Sequence, residues 1–408
     1  MKKLIYGIMA LGVLAGCSDD PAPKGQEVEP TGEPVEITLT AAESRAAEAT
    51  ADFAYDFFAQ MSLREAADKN MVCSPASAGI LLSMLANGTA GDCRGEIIDV
   101  LGCEDIDALN SLANKQLTLL PKVDPTVTMT FANAMWYRDR YRLRSSFESV
   151  MDDSYAMKAY ARKFDDGIVA EVNGWVKENT NGIIDEILDK KPDDDCVAIQ
   201  ANALYFKGAW ANPFEESETA VGNFQGIDKA SRVPMMHKCG VQHYAAGADF
   251  QAVKMELGTK GYEAVFVLPS EGTSIADFVD ADGLRRAADA RYIDDGIDFI
   301  LPRFKFNSDE MRLNKVLKTL GIKDIETFGD FTAFEESVRG FFEVSQKTGV
   351  EFNEAGAEGA AVTWALWEGA SSGESAAPAK VHFTRPFLFM IHEKSTGAIL
   401  FAGRIVSL

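Results

Sequence analysis

Histidine and cysteine are scarce in this chain of 408 residues, with four His and six Cys. The scarcity excludes most metal chemistry: no Cys-x-x-Cys occurs, and no two His stand four apart on a helix. Gly-x-Ser-x-Gly, His-Glu-x-x-His and a phosphate-cradling glycine loop are also missing, so an enzyme is not expected, nor a cofactor or a metal. Asp193-Asp194-Asp195 reads as an exposed turn rather than a metal site. Basic residues are in deficit: 40 Lys and Arg face 62 Asp and Glu, a formal net charge of −22. Nucleic acid and anionic membrane both require Lys and Arg against phosphate, so neither is expected as a partner.

Long apolar runs are missing except at the start. Met1-Lys2-Lys3 is basic, Leu4 to Val13 is apolar, and Leu14-Ala15-Gly16-Cys17 resembles a lipobox. A bilayer span takes about 20 apolar residues, so this stretch reads as a secretion signal, residues 1–16, cut before Cys17. Loss of Lys2 and Lys3 with the leader takes the formal charge from −22 to −24. Acylation of Cys17 would then supply the only membrane attachment. Residues 17–38, with Pro21, Pro23, Pro30 and Pro34 among Gly and Glu, read as a lipidated disordered tether. Ser18-Asp19-Asp20 resembles the acidic signal by which some Gram-negative bacteria send lipoproteins to the cell surface, so an exposed outer-membrane lipoprotein is expected. The five remaining cysteines are odd in number, which leaves at least one thiol free or paired with another chain. Cys73, in an apolar stretch, reads as a small core residue.

Residues 39–408 contain no Pro/Gly-rich break and no repeat, and read as one large mixed domain. Phe53, Phe57, Phe58 and Met61 lie on one helical stripe. Ser74-Pro75 supplies an N-cap with Pro at the first helical position, Ala78, Leu81, Leu82 and Leu85 form an apolar face, and Asn87-Gly88 ends the helix. Val127, Met129, Phe131, Asn133 and Met135 alternate as a strand, and Val197 to Phe206 is a nearly continuous apolar run. Val172 to Ile184 has helical spacing. Further strands are expected at Ala264 to Pro269, Phe299 to Pro302 and Phe341 to Asn353, with a helix from about Asp309 to Leu320. Helices early and strands late, with long separations between partners, predict α+β with a large sheet.

The last 55 residues are the most informative. Taken with period two, Ala357, Gly359, Ala361, Thr363, Ala365 and Trp367 fall on one face, while Glu354, Glu358 and Glu368 fall on the other. One face of this segment could enter a sheet without burying a charge. A Gly/Ala/Ser-rich linker has a similar composition, but a terminal linker would not be followed by two core strands, Arg385-Pro386-Phe387 onward and the final Leu400-Phe401 run.

Glu-x-Gly-x-Glu, small residues, Arg-Pro-Phe about thirty positions on and a terminal Leu-Phe-x-Gly-Arg strand together resemble the hinge, reactive-centre loop and C-terminal hairpin of serpins. The resemblance runs in order from about residue 40 to 408. Asn70-Met71-Val72-Cys73-Ser74-Pro75-Ala76-Ser77 resembles the start of the serpin helix under the main sheet. Asn173-Gly174-Trp175-Val176 with Asn179-Thr180-Asn181-Gly182 resembles the helix that crosses that sheet. Asn202 with Tyr205-Phe206-Lys207-Gly208-Ala209-Trp210 resembles the strand beside the insertion gap, and Val233-Pro234-Met235-Met236 and Leu301-Pro302-Arg303-Phe304 resemble further strands.

The resemblance implies a large central sheet with smaller sheets, about eight or nine helices and an exposed reactive-centre loop at 354–380. It implies a monomeric inhibitor of serine proteases, with cysteine proteases a further class, that is cut as bait and inserts its loop as a new strand. The hinge would be Glu354, Gly356, Ala357, Glu358, Gly359, Ala360, Ala361 and Thr363, with Gly356 supplying freedom of motion. Ser74, Ser77, Asn202 and Gln346 would form the polar cluster beneath the parting strands, with Gln346 where the family commonly has His. Trp210 would stand at the top of the sheet. Sixteen residues on from Glu354 the scissile bond falls at Ala370-Ser371, or one residue later, and small residues on both sides suit an elastase-like protease. Gly359, where the family has Ala, weakens a strand by about 0.5–1 kcal/mol, and Trp367 on the inserting face needs a pocket. A non-inhibitory serpin or a surface lipoprotein that binds glycan or protein through Trp364 and Trp367 is the alternative.

Overall fold

A computed structural model describes residues 33–408 except 195, 281, 309, 324–328, 341–343 and 358–377. Among the described residues there are nine α-helices and nineteen strands. The helices are α1 (Ala41–Arg64), α2 (Pro75–Gly88), α3 (Gly91–Leu101), α4 (Ile106–Val123), α5 (Ser145–Tyr155), α6 (Ile168–Asn179), α7 (Ile275–Asp280), α8 (Gly283–Ala288) and α9 (Asn314–Leu320). The first strands are β1 (Met71–Cys73), β2 (Thr128–Arg138), β3 (Lys158–Arg162), β4 (Ala198–Ala209), β5 (Ala220–Gln225), β6 (Ala230–Ala246), β7 (Phe250–Leu257), β8 (Tyr262–Pro269) and β9 (Ile293–Pro302). Then come β10 (Phe304–Asn307), β11 (Met311–Arg312), β12 (Gly329–Asp330), β13 (Arg339–Gly340), β14 (Ser345–Gln346), β15 (Gly349–Asn353), β16 (Gly356–Ala357), β17 (Ala379–His382), β18 (Phe387–Glu393) and β19 (Ile399–Ile405).

The early helices form where their ends are chemically marked. At α1 the Thr40 hydroxyl accepts from Glu43 N (3.3 Å) and the Glu43 carboxylate accepts from Thr40 N (2.6 Å), a reciprocal capping box. Glu43 is buried, which by itself opposes ionisation, yet hydrogen bonds from Lys115 and Ser111 lower its pKa to about 2. At α2 the Ser74 hydroxyl accepts from Ser77 N (3.3 Å) and Pro75 takes the first position, as the spacing predicts. Nearly every side chain of α2 is buried, because this helix lies beneath a sheet and against its neighbours.

Six strands form one sheet in the order β10-β15-β16-β4-β2-β3, and nine form another, β1-β19-β18-β8-β7-β6-β9-β17 with β5 paired to β6. Their shared apolar layer is rich in rings: Phe352 lies 5.1 to 5.8 Å from Trp210, Phe266, Phe304 and Phe389. On the other side α6 lies over β2, where Trp136 meets Trp175 edge-on (5.5 Å, 83°) and its indole N–H donates to Glu171 (3.0 Å). Cys73, Cys93 and Cys103 are buried, Cys73 completely, which pushes its thiol pKa far up.

Three expected elements differ. The helical spacing of Val172 to Ile184 ends at Asn179, because Asn181 (φ 51°) and Gly182 (φ 77°) turn the chain left-handed. The strand read from Phe341 to Asn353 is interrupted: Ser345–Gln346 pairs with β11, and only Gly349–Asn353 joins the six-stranded sheet. Thr348 between them gives its hydroxyl to Val72 O (2.5 Å) and its N–H to Ser308 Oγ (2.8 Å). The helix read from Asp309 begins at Asn314, after β11.

Candidate functional site at the head of an unfilled gap

β4 and β15 are held together by two residues of a third strand. Ala357 is opposite Phe352 on β15 and Gly208 on β4, and Gly356 is opposite Asn353 and Ala209, antiparallel to both neighbours. Among the described residues β4 and β15 have no direct ladder below these rungs.

The chain makes this reversal through Asn353, whose side-chain carbonyl accepts from Ala355 N (3.0 Å) and Gly356 N (3.2 Å), an Asx turn. Gly356 is required by close approach. A Cβ there would lie 2.2 Å from Gly208 O and 2.7 Å from Ala209 Cα. Beyond the freedom of motion expected of Gly356, its missing side chain lets the strand lie this close to β4. Ala357, 2% exposed, fills the space beyond it.

Trp210 clamps the turn. Its indole N–H donates to Asn353 O (2.9 Å), its backbone N–H donates to Ala355 O (2.8 Å), and its ring stacks on Phe352 (5.8 Å, 12°). Glu354 is anchored three ways, by Phe214 N donating to its backbone O (3.0 Å), by the Thr219 hydroxyl (2.7 Å) and by an ion pair with Arg303. Burial raises its pKa, but the bonds from Arg303 and Thr219 outweigh that and hold the carboxyl below the ordinary glutamate range. Arg303 and Thr219 escape a sequence reading, since they lie 51 and 135 residues from Glu354 with no local signal.

Below the rungs a cavity of about 710 Å³ opens between β4 and β15, floored by α2 and reached by Ser77, Ala201, Gln346, Val350 and Ala357. Of the expected polar cluster, Ser74 and Gln346 are joined by two bonds: Ser74 N donates to Gln346 Oε1 and Gln346 Nε2 donates to Ser74 O, each 2.9 Å. Ser77 joins them through its N–H on Ser74 Oγ. Asn202 lines the same cavity but donates to Asn133 Oδ1 (2.7 Å) instead, and its own Oδ1 is buried without a partner, as is Gln200 Nε2. Glu358, Gly359, Ala360, Ala361, Thr363, Trp364, Trp367, Ala370 and Ser371, like Cys17, lie outside the described residues. What the arrangement offers is two open strand edges and a started third strand.

The Serpin (serine protease inhibitor) family model matches residues 48–408. The chain is 30% identical to Iris of Ixodes ricinus over 350 residues, 82% of this chain and 92% of that protein. It is 29% identical to corticosteroid-binding globulin of Sus scrofa over 374 residues, 88% of this chain and 89% of that protein. The native state of the thermophilic serpin tengpin superposes with a TM-score of 0.79 at 25% identity, covering 93% of this chain and 98% of that one.

Proposed function

The chain belongs to the serpin family, and from that premise we propose that it inhibits a serine protease by offering the segment between β16 and β17 as bait. The observation that carries the reading is β16 itself, paired on both edges at the head of an unfilled gap. A strand that continued this register into the gap would set Thr363 opposite Asn202 and would keep Gly359 and Ala361 on the same face as the buried Ala357. The protease serine attacks the carbonyl of Ala370, or the next residue, and forms an acyl bond while the new amino terminus departs. The freed segment then enters the gap and pairs with β4 and β15. Each backbone hydrogen bond contributes about 0.5–1.5 kcal/mol net, so about ten of them rival the ~5–15 kcal/mol stability of a domain.

Small residues around Ala370-Ser371 favour an elastase-like target. Incubation with elastase-like, chymotrypsin-like and papain-like proteases tests this: a covalent adduct that survives a denaturing gel, with release of residues 371–408, is expected with the first. Clean turnover by every protease would instead favour the non-inhibitory reading, to which the corticosteroid-binding relative lends support. Anchoring at the cell surface through an acylated Cys17 belongs to the same proposal; Cys17→Ser is expected to release the protein from membranes, and an unchanged membrane fraction would refute the anchor.

A further inference from the structure

Among the described residues β17 is an edge strand of four residues, paired on one side only. It runs parallel to β9, with Lys380 opposite Asp298 and His382 opposite Ile300. Just beyond its end Phe383 N donates to Ile300 O (2.9 Å). One neighbour and four residues give few backbone bonds, and segments of this kind open locally at low free energy. Side chains therefore decide how firmly β17 is held.

β6 lies on the other side of β9, with His237 opposite Ile300 and Cys239 opposite Asp298. Opposed residues share a face, so His237 and His382 flank Ile300, and both lean toward Asp298. His237 Nε2 donates to Asp298 Oδ1 (3.0 Å). His382 Nε2 lies 3.2 Å from Asp298 Oδ2 but off the line of a hydrogen bond, so what it can gain there is mainly charge. Glu218, in the turn before β5, is 3.6 Å from His237 Nδ1. Of the other groups near Asp298, Lys380 and Cys239 are exposed beside it on the same face. Lys238 alternates to the opposite face, where it donates to Asn212 O, and His243 is paired with Asp294 further along β6. Burial raises the pKa of Asp298, but the two histidines outweigh that and hold its carboxyl below the ordinary aspartate range. The carboxylate is thus ionised across the interval, about pH 5 to 8, in which histidine changes charge.

We propose that Asp298, His237 and His382 form an acid-set latch that fastens β17, and with it the far end of the segment that leaves β16, to the sheet. When the imidazoles are charged, Asp298 ties β17 to β6 across β9 by ion pairs, with Glu218 completing the charge balance at His237. The added hold is present at low pH and is lost as the pH rises and the imidazoles become neutral. The latch does not depend on the bait reading, and its test uses the uncut chain. Hydrogen exchange of the amides from Lys380 to Phe383 is measured at about pH 5.5 and about pH 7.5, corrected for the intrinsic dependence of exchange on pH. Protection in the parent is expected to be about fivefold higher at the lower pH, the ratio given by a half-exposed ion pair near the top of its range. Asp298→Asn, which keeps the shape and an acceptor but not the charge, and His382→Gln, which cannot titrate, are each expected to remove that ratio. His243→Asn, on the same face of β6 but away from β17, is expected to retain it, which separates the latch from a general response of the sheet to pH. Equal protection at the two pH values in the parent, or the parent's ratio retained in either Asp298→Asn or His382→Gln, would overturn the latch.

Discussion

The head of the gap and its lower half are walled by the same two strands and are built in opposite ways. At the head, between Phe352 and Ala209, the backbone of Gly356–Ala357 is paired on both sides, Trp210 and Asn353 cap the turn, and Glu354 has three partners. A few residues lower, among the described residues, β4 and β15 have no common ladder, Asn202 Oδ1 and Gln200 Nε2 are buried without protein partners, and the apolar run Ile183, Ile184, Ile187 and Leu188 rather than a strand lines the opening. Buried polar groups gain from a partner, so a strand entering the lower half would meet groups that the head has already paired. On the proposed function the head would act as a nucleus that sets the register and direction of the strand that follows, and the empty half would supply the drive.

The comparison is broken most severely by a charge at Ala357. The site is nearly sealed and sized for a methyl group. Ala357→Arg buries an unpaired cation at an effective cost of several kcal/mol, so the hinge is expected to leave the sheet and the chain to become a substrate, read as loss of the covalent adduct. Gly356→Ala comes next: its Cβ has Gly208 O and Ala209 Cα in the way, and overpacking of this kind costs about 1–3 kcal/mol. Unzipping of the head should appear as faster proteolysis at Glu354 to Ala357. Trp210→Phe keeps a ring against Phe352 but removes the indole donor to Asn353 O, a loss of about 0.5–1.5 kcal/mol, checked by urea denaturation. The smallest effect is that of pH. Glu354 titrates below its ordinary range, so its contribution is complete above the unfolded glutamate pKa of about 4.3 and is lost as the pH falls through the lower, folded value. Arg303 is 45% exposed, so solvent screens the pair and the loss is modest. Glu354→Gln should flatten that part of the acid-stability curve relative to the parent.

Where signals are local, the sequence already contains the structure. Ser74, Pro75 and Gly88 bracket α2 within a few residues of the bonds they make, and the alternation of Gln346, Val350 and Phe352 places these side chains toward the cavity and core. The family's order of motifs leads to the insertion sheet for the same reason. The end of α6 was obscured by Ile183, Ile184, Ile187 and Leu188, whose apolar character serves the gap and not a helical stripe; the Asn181-Gly182 pair was the legible stop. The break around Thr348 could not be read, since its partners Val72 and Ser308 are 276 and 40 residues away. The anchoring of Glu354 by Arg303 and Thr219 is hidden in the same way, and the close fit of Gly356 against Gly208 exists only once three strands have met.

Hydrogen exchange of the chain before and after cleavage between β16 and β17 tests strand insertion most directly. If the freed segment enters the gap, the amides of β4 from Ile199 to Lys207 and of β15 that face the opening acquire partners, and their exchange should slow sharply on cutting while that of β7 and β8 stays as it was. Exchange along β4 and β15 that is equally fast in the intact and the cut chain would contradict the account, whatever the fate of the protease.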